Sequence, residues 1–139
     1  MKTFRPLIRA LAVIFIASCS IFCTSTTDKP DILIISGQNN HNWQVSHLQL
    51  KEILSDSGLF NVDICLTPPD GGDMSSFRPE FSAYDAILLD YNGDRWPEET
   101  DKAFLEYVNN GGGVIIYHAS DNAFSTWEEF NRIIALGGW

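Results

Sequence analysis

Short continuous apolar runs alternate with longer stretches in which apolar residues recur every three or four positions, and this alternation predicts the architecture. Ile32 to Ile35 is unbroken apolar, as in a strand of a parallel sheet covered on both faces. A polar loop, Ser36 to Gln44, follows it, and Asn42 is placed to cap a helix. Leu50, Ile53, Leu54 and Ser57 then fall at helical spacing, predicting a helix over Gln44 to Ser57 that Gly58 ends in a left-handed conformation. Val62, Ile64 and Leu66 alternate with Asp63 and Cys65, the pattern of a strand near a sheet edge. Pro68 to Gly72 is a loop, and a loosely patterned stretch with Phe77, Pro79 and Phe81 leads to a third buried strand, Ala86 to Leu89.

After the loop YNGDRW, Pro97 suits the first helical position, and Glu98 and Glu99 favour the positive end of the helix dipole. Thr100, Ala103, Phe104, Tyr107 and Val108 form one helical face, which Asn110 and Gly111 terminate. The segment NNGGGVIIYHASDNAF, Asn109 to Phe124, then joins a glycine stop, a strand from Val114 to Tyr117 suited to burial on both faces, and a polar turn led by His118. Strand, helix, strand, strand, helix, strand implies βαβ units with right-handed crossovers in a doubly wound parallel α/β sheet. No internal repeat or low-complexity segment interrupts the series.

In that topology the loops Gly37 to Trp43, Tyr91 to Trp96 and His118 to Ser125 converge on one crevice beyond the carboxyl ends of the strands. They carry His41, His118, Asp94, Asp121, Asn92, Asn122, Trp43 and Trp96, with Trp127 nearby. Rings that cover C–H faces, beside carboxylates and amides that pair hydroxyls, suit a polyhydroxylated ligand such as a sugar. His118 is either a general acid or base, with an ordinary imidazole pKa near 6.5, or a satisfied histidine closing a core strand. Asp121 either orients His118 or caps a turn. Asn92 with Gly93 also suits a plain tight turn, Trp127 and Trp139 suit the core, and His47 falls on the polar side of the first helix. His41, His118, Asp94 and Asp121 could supply nitrogen and oxygen ligands to a metal, but no two of them show a ligand spacing on one element, so no metal is assigned, and nothing specifies a cofactor.

The first residues read as an address. Lys2, Arg5 and Arg9 precede the apolar stretch Ala10 to Ala17, the layout of a secretory signal and shorter than the about 20 apolar residues that span a bilayer. Ile16-Ala17-Ser18-Cys19 resembles a bacterial lipobox, which would make Cys19 a lipidated N-terminus after removal of residues 1–18, with residues 19–30 as a tether. An ordinary cleaved signal with Cys19 as a bystander, or an uncleaved anchor, are the alternatives. Export as a periplasmic or cell-envelope lipoprotein of a bacterium, held to a membrane by its lipid, is the expectation.

Loss of residues 1–18 removes three of the nine Lys and Arg and none of the 18 Asp and Glu, leaving a net charge of −12 on 121 residues. That balance argues against nucleic acid as a partner, and the length allows one domain. Cys65 alone would remain in the folded part, without a disulfide framework, and suits a small packed hydrophobe.

QNNHNW after the first strand, FSAYDAILLDYNGDRWPEE, and YVNNGGGVIIYHASDNAFSTWEEFNRIIALGGW together resemble the ThuA-like (trehalose utilisation) family, over residues 31–139. The resemblance implies a flavodoxin-like, class I glutamine amidotransferase-like fold and a role in the utilisation of trehalose or a related glycoside, with a small-molecule sugar as ligand. Amidotransferases and peptidases of this fold carry a nucleophilic cysteine after the corresponding strand, where this chain has YHAS. Cys65 lies on another strand, so glutaminase and cysteine-peptidase chemistry are not expected. Ser120 in HASDN lacks the GxSxG elbow of serine hydrolases. A glycosidase would need paired carboxylates, for which Asp94 and Asp121 are the candidates.

ThuA-like domains resemble longer units, so residues 31–139 are expected to form a truncated, amino-terminal portion of one. Phe130, Ile133, Ile134 and Leu136 would then leave an apolar helix stripe without a partner. A non-catalytic carbohydrate-binding lipoprotein, or an inactive fragment of a larger ThuA-like protein, are the alternatives to a sugar-processing enzyme. On this reading the isolated polypeptide is marginally stable or inactive. Calorimetry and sugar-turnover assays check this, and a single sharp melting transition together with turnover would overturn it.

Overall fold

The computed structural model describes residues 28–136, so the leader, Cys19, most of the tether and Trp139 lie outside the described residues. Strand β1 (Asp31–Ser36) is followed by helix α1 (Trp43–Asp56), strand β2 (Asn61–Leu66), strand β3 (Ala86–Leu89), helix α2 (Glu98–Asn109), strand β4 (Gly113–Ile116) and helix α3 (Glu128–Ile134). Single 3-10 turns occupy Met74–Ser76, Phe81–Ala83 and His118–Asn122. All strand pairs are parallel, in the order β2-β1-β3-β4. This is the doubly wound, flavodoxin-like order, with helices on both faces.

The predicted elements form within a residue or two of their expected bounds. Gly58 takes φ +71 past the end of α1, and Gly111 takes φ +95 past the end of α2. Asn42 stands at the start of α1 without a side-chain capping bond, and Pro97 precedes α2, its carbonyl accepting from the N–H groups of Thr100 and Asp101.

Alternating strand residues face two apolar layers. Ile32 and Ile34, with Val62 and Leu88, meet Leu50 and Leu54 of α1. Leu33, Ile35, Ile87 and Leu89 face the larger layer, filled by Phe77, Phe81, Trp96, Phe104, Phe124, Trp127 and Phe130. Ile53, assigned to the buried stripe of α1 by its spacing, is 68% exposed. Gly112 is required where it stands, because a Cβ there would lie 2.2 Å from the ring of Tyr107, whose hydroxyl donates to the carbonyl of Gly113.

Three expectations are corrected. Strand β4 is an edge strand among the described residues, so Val114 and Ile116 pack inward while Ile115 is 43% and Tyr117 41% exposed. A run of apolar residues is blind to the absence of a neighbour on one side. The stripe on α3 is not unpartnered: Phe130 is fully buried against Phe104, Phe124 and Trp127, and Ile133 and Ile134 join the same layer. Only Leu136 is left exposed. His47 is buried instead of solvated, its Nδ1 bonded to the carbonyl of Trp43 one turn earlier and its ring beside that indole. Cys65 is half-buried against the larger layer, and burial pushes its thiol pKa up.

Phe104 touches Phe81, Trp96, Trp127 and Phe130 and has no exposed surface. Phe104→Ala is expected to cost about 3–5 kcal/mol, read as a fall in the urea midpoint.

Candidate functional site

The chain leaves β1 towards β2 on one side and returns to build β3 on the other. At such a switch point the loops part and open a crevice beyond the carboxyl ends of the strands. Here the crevice is lined from three sides, by the loops after β1, β3 and β4.

Asp90, immediately after β3, is 1% exposed. Its Oδ2 accepts from the hydroxyls of Ser36 (3.1 Å) and Ser46 (2.6 Å), and its Oδ1 from the Asn39 amide (3.0 Å). Asn39 Oδ1 in turn accepts from the backbone N–H of His41 at 2.9 Å. Asp90 thus fixes the loop that carries His41. Across the opening, the rings of His41 and His118 meet edge to face, with centroids 4.4 Å apart. Asn39, His41, Ser46, Asp90, Tyr117 and His118 line a cleft of about 250 Å³ between the start of α1 and the end of β4.

His118 has φ +45, a left-handed conformation that costs a non-glycine residue about 1–3 kcal/mol and persists only where surrounding bonds impose it. Those bonds centre on Ser120, which has no exposed surface. Its hydroxyl donates to the carbonyl of Leu89 (2.7 Å) and accepts from the N–H of Tyr91 (2.8 Å). It grips the peptides on either side of Asp90 and ties the turn bearing His118 to them. The N–H of Tyr117 also donates to Leu89, at 3.0 Å. A hydroxyl committed in both directions inside the core is no nucleophile.

A second hollow of about 460 Å³ lies on the β2 side of the Asn39–Asn40 wall. Trp43, Asn40, Asn92 and Asp70 border it. The side chains of Asn40 and Asn92 bond to each other at 3.0 Å, and the N–H of Asn40 donates to Asn92 Oδ1. Gln38, 4% exposed, supports this wall: its amide donates to the carbonyl of Pro68, and its Oε1 accepts from the N–H of Asp94 at 2.6 Å and the hydroxyl of Tyr91 at 3.3 Å. Burial, then the nearby Asp94 charge, drive the Tyr91 phenol pKa strongly upward, so it stays a neutral donor. A larger hollow, about 640 Å³, lies at the opposite end of the sheet, beside Asp85 and Gly112, away from all of these groups.

His41 and His118 therefore share one basin, and Trp43 and Asn92 border the other. Trp96 is a correction: it is 3% exposed and packed among Phe77, Phe81, Tyr91, Phe104 and Phe124, so it offers no face to a ligand. Asp94 is half-buried, and its carboxylate accepts from the N–H of Gly71, pinning the loop after β2. Asp121 makes no hydrogen bond to His118, and neither Asp121 nor Asn122 lines either basin. Asp121 is thus not the orienting partner of His118. Asp90, Asn39 and Ser46 were not among the sequence candidates, and Ser120 was weighed there only as a nucleophile, not as a latch. An aspartate closing the apolar run Ala86 to Leu89, on a strand bordering the switch point, was the available signal for Asp90. No group of three or more His, Cys, Asp or Glu among the described residues is arranged to hold a metal.

No family model and no curated protein matches the chain. Two solved structures do. A protein of Parabacteroides merdae named as ThuA-like is 64% identical, with a TM-score of 0.78, over 81% of this chain and 40% of its own. A protein of Bacteroides uniformis, also named as ThuA-like, is 24% identical with a TM-score of 0.54, over 79% of this chain and 45% of its own, a level that speaks to the fold alone. This chain thus spans less than half the length of either relative.

Ser120→Ala deletes one donor and leaves the Tyr91 N–H without its acceptor. The expected loss is about 1–3 kcal/mol by urea denaturation, and an unchanged midpoint would deny the latch any weight.

Proposed function

The chain belongs to the ThuA-like family, and on that footing we propose that it binds and processes a carbohydrate, trehalose or a related glycoside, in the cleft beyond β1, β3 and β4. The observation that carries this reading is the contact of His41 and His118 over a cleft floored by a buried carboxylate. An imidazole can take a proton from a water as that water's oxygen bonds to the glycosidic carbon, and give a proton to the sugar oxygen whose bond to that carbon breaks; groups so placed contribute about 10²–10⁴-fold to a rate. His118, held in a left-handed conformation at the mouth of the sheet by the bonds around Ser120, is assigned the proton transfer. His41, in ring contact with it, is assigned the sharing or relay of that proton.

The amide-lined hollow beside Trp43 supports a second reading, binding without turnover, since an indole edge and paired amides suffice to hold a polyol. The lipobox-like IASC supports export of the protein as a cell-envelope lipoprotein under either reading.

His118→Ala separates the two. Loss of turnover by about 100-fold or more with sugar affinity retained in titration calorimetry is the outcome expected of an enzyme. Turnover that survives the substitution removes His118 from the chemistry, and binding by a wild-type protein that turns over no glycoside favours the binding module.

A further inference from the structure

Asp90 has an unusual electrostatic setting. A carboxylate with 1% exposure ordinarily faces a cation, because an unpaired buried charge is costly. Its partners here are two hydroxyls and one amide, all neutral. None of the ion pairs among the described residues includes it. No Lys or Arg lines the cleft, or the neighbouring hollow, which adds a further carboxylate, Asp70.

The acceptor count points the same way. An ionised carboxylate offers about four lone-pair positions, and three are taken: two on Oδ2 by Ser36 and Ser46, one on Oδ1 by Asn39. One position on Oδ1 is left, on a residue that lines the cleft together with His41 and His118.

We propose that Asp90 is the ligand-receiving carboxylate of this cleft: it accepts a hydrogen bond from a hydroxyl or ammonium group of the ligand, and its uncompensated charge excludes phosphorylated or carboxylated sugars. The inference rests on the carbohydrate reading for the identity of the ligand, but the sign of the charge the cleft accepts is a property of its own residues. It narrows the substrate class to neutral or amino-bearing polyols. It also makes Asp90, not Asp94 or Asp121, the acid that meets the ligand.

The test uses the full chain at pH 8, with histidine ring resonances followed by NMR. Methylammonium and inorganic phosphate are the probes. Methylammonium is expected to shift the His41 and His118 signals in a saturable way, while His47, buried and bonded to Trp43, serves as the unmoved control. Phosphate at the same concentrations is expected to leave all three in place. Asp90→Asn should weaken the methylammonium response at least 10-fold and let phosphate register. Phosphate binding to the wild type as tightly as methylammonium, or an undiminished methylammonium response in a folded Asp90→Asn protein, would overturn the proposal. The wild-type comparison decides the matter even where Asp90→Asn fails to fold. Calorimetry with neutral glycosides tests the carbohydrate reading separately, since its failure would leave the probe preference standing.

Discussion

The parallel pairing of β1 with β3 is the constraint on which the rest of the site depends. Because Ile32, Leu33, Ile34 and Ile35 register against Ala86, Ile87, Leu88 and Leu89, the residues that follow, Ser36 and Asp90, emerge side by side. The next connection from β1 runs to β2 on the far side, so nothing crosses above the pair. Ser36, Asn39 and Ser46 can then close on one carboxylate from a single chain segment, and Ser120 reaches the peptides beside it from the next strand over. A slip of one residue in this register would turn Asp90 to the other face and dissolve the network.

Around that centre the molecule is held mainly by rings. Trp96, Phe104, Phe124, Trp127 and Phe130 contact one another in tilted, edge-on and stacked pairs, and the guanidinium of Arg95 lies 3.7 Å from the Trp127 ring while pairing with Asp101 at 2.7 Å. The loop after β3 is thereby clamped to the segment after β4. Phe124, with φ +53, is twisted to enter the layer. Two strained residues, His118 and Phe124, bracket the turn that presents the site, and the aromatic layer and the Ser120 latch hold them in place.

Much of this was legible in residue order. Apolar runs located the strands, glycines located the helix ends, and the series of elements implied the doubly wound sheet whose loops converge. Periodicity could not say which way a loop side chain turns. Trp43 and Trp96 both read from the sequence as the ends of polar loops, yet one opens α1 beside a hollow and the other fills the core, because Phe77 and Phe81, from a stretch without a clear pattern, supply the wall that buries Trp96. His47 looked polar because helical spacing assigns a face but not the depth at which a neighbouring indole covers it. The importance of Asp90 was hidden for a related reason. Its partners lie 44 to 54 positions away, and only the folded register brings them together.

The placement of β4 at the rim has a dynamic consequence. Asp90 belongs to the protected interior of the sheet, whereas His118 is carried by a strand with one neighbour among the described residues. Local opening draws first on such margins, so the two sides of the cleft are expected to exchange their amide hydrogens at different rates. A ligand touching both would act as a tie between interior and rim, and part of its binding free energy would appear as slower fraying of β4.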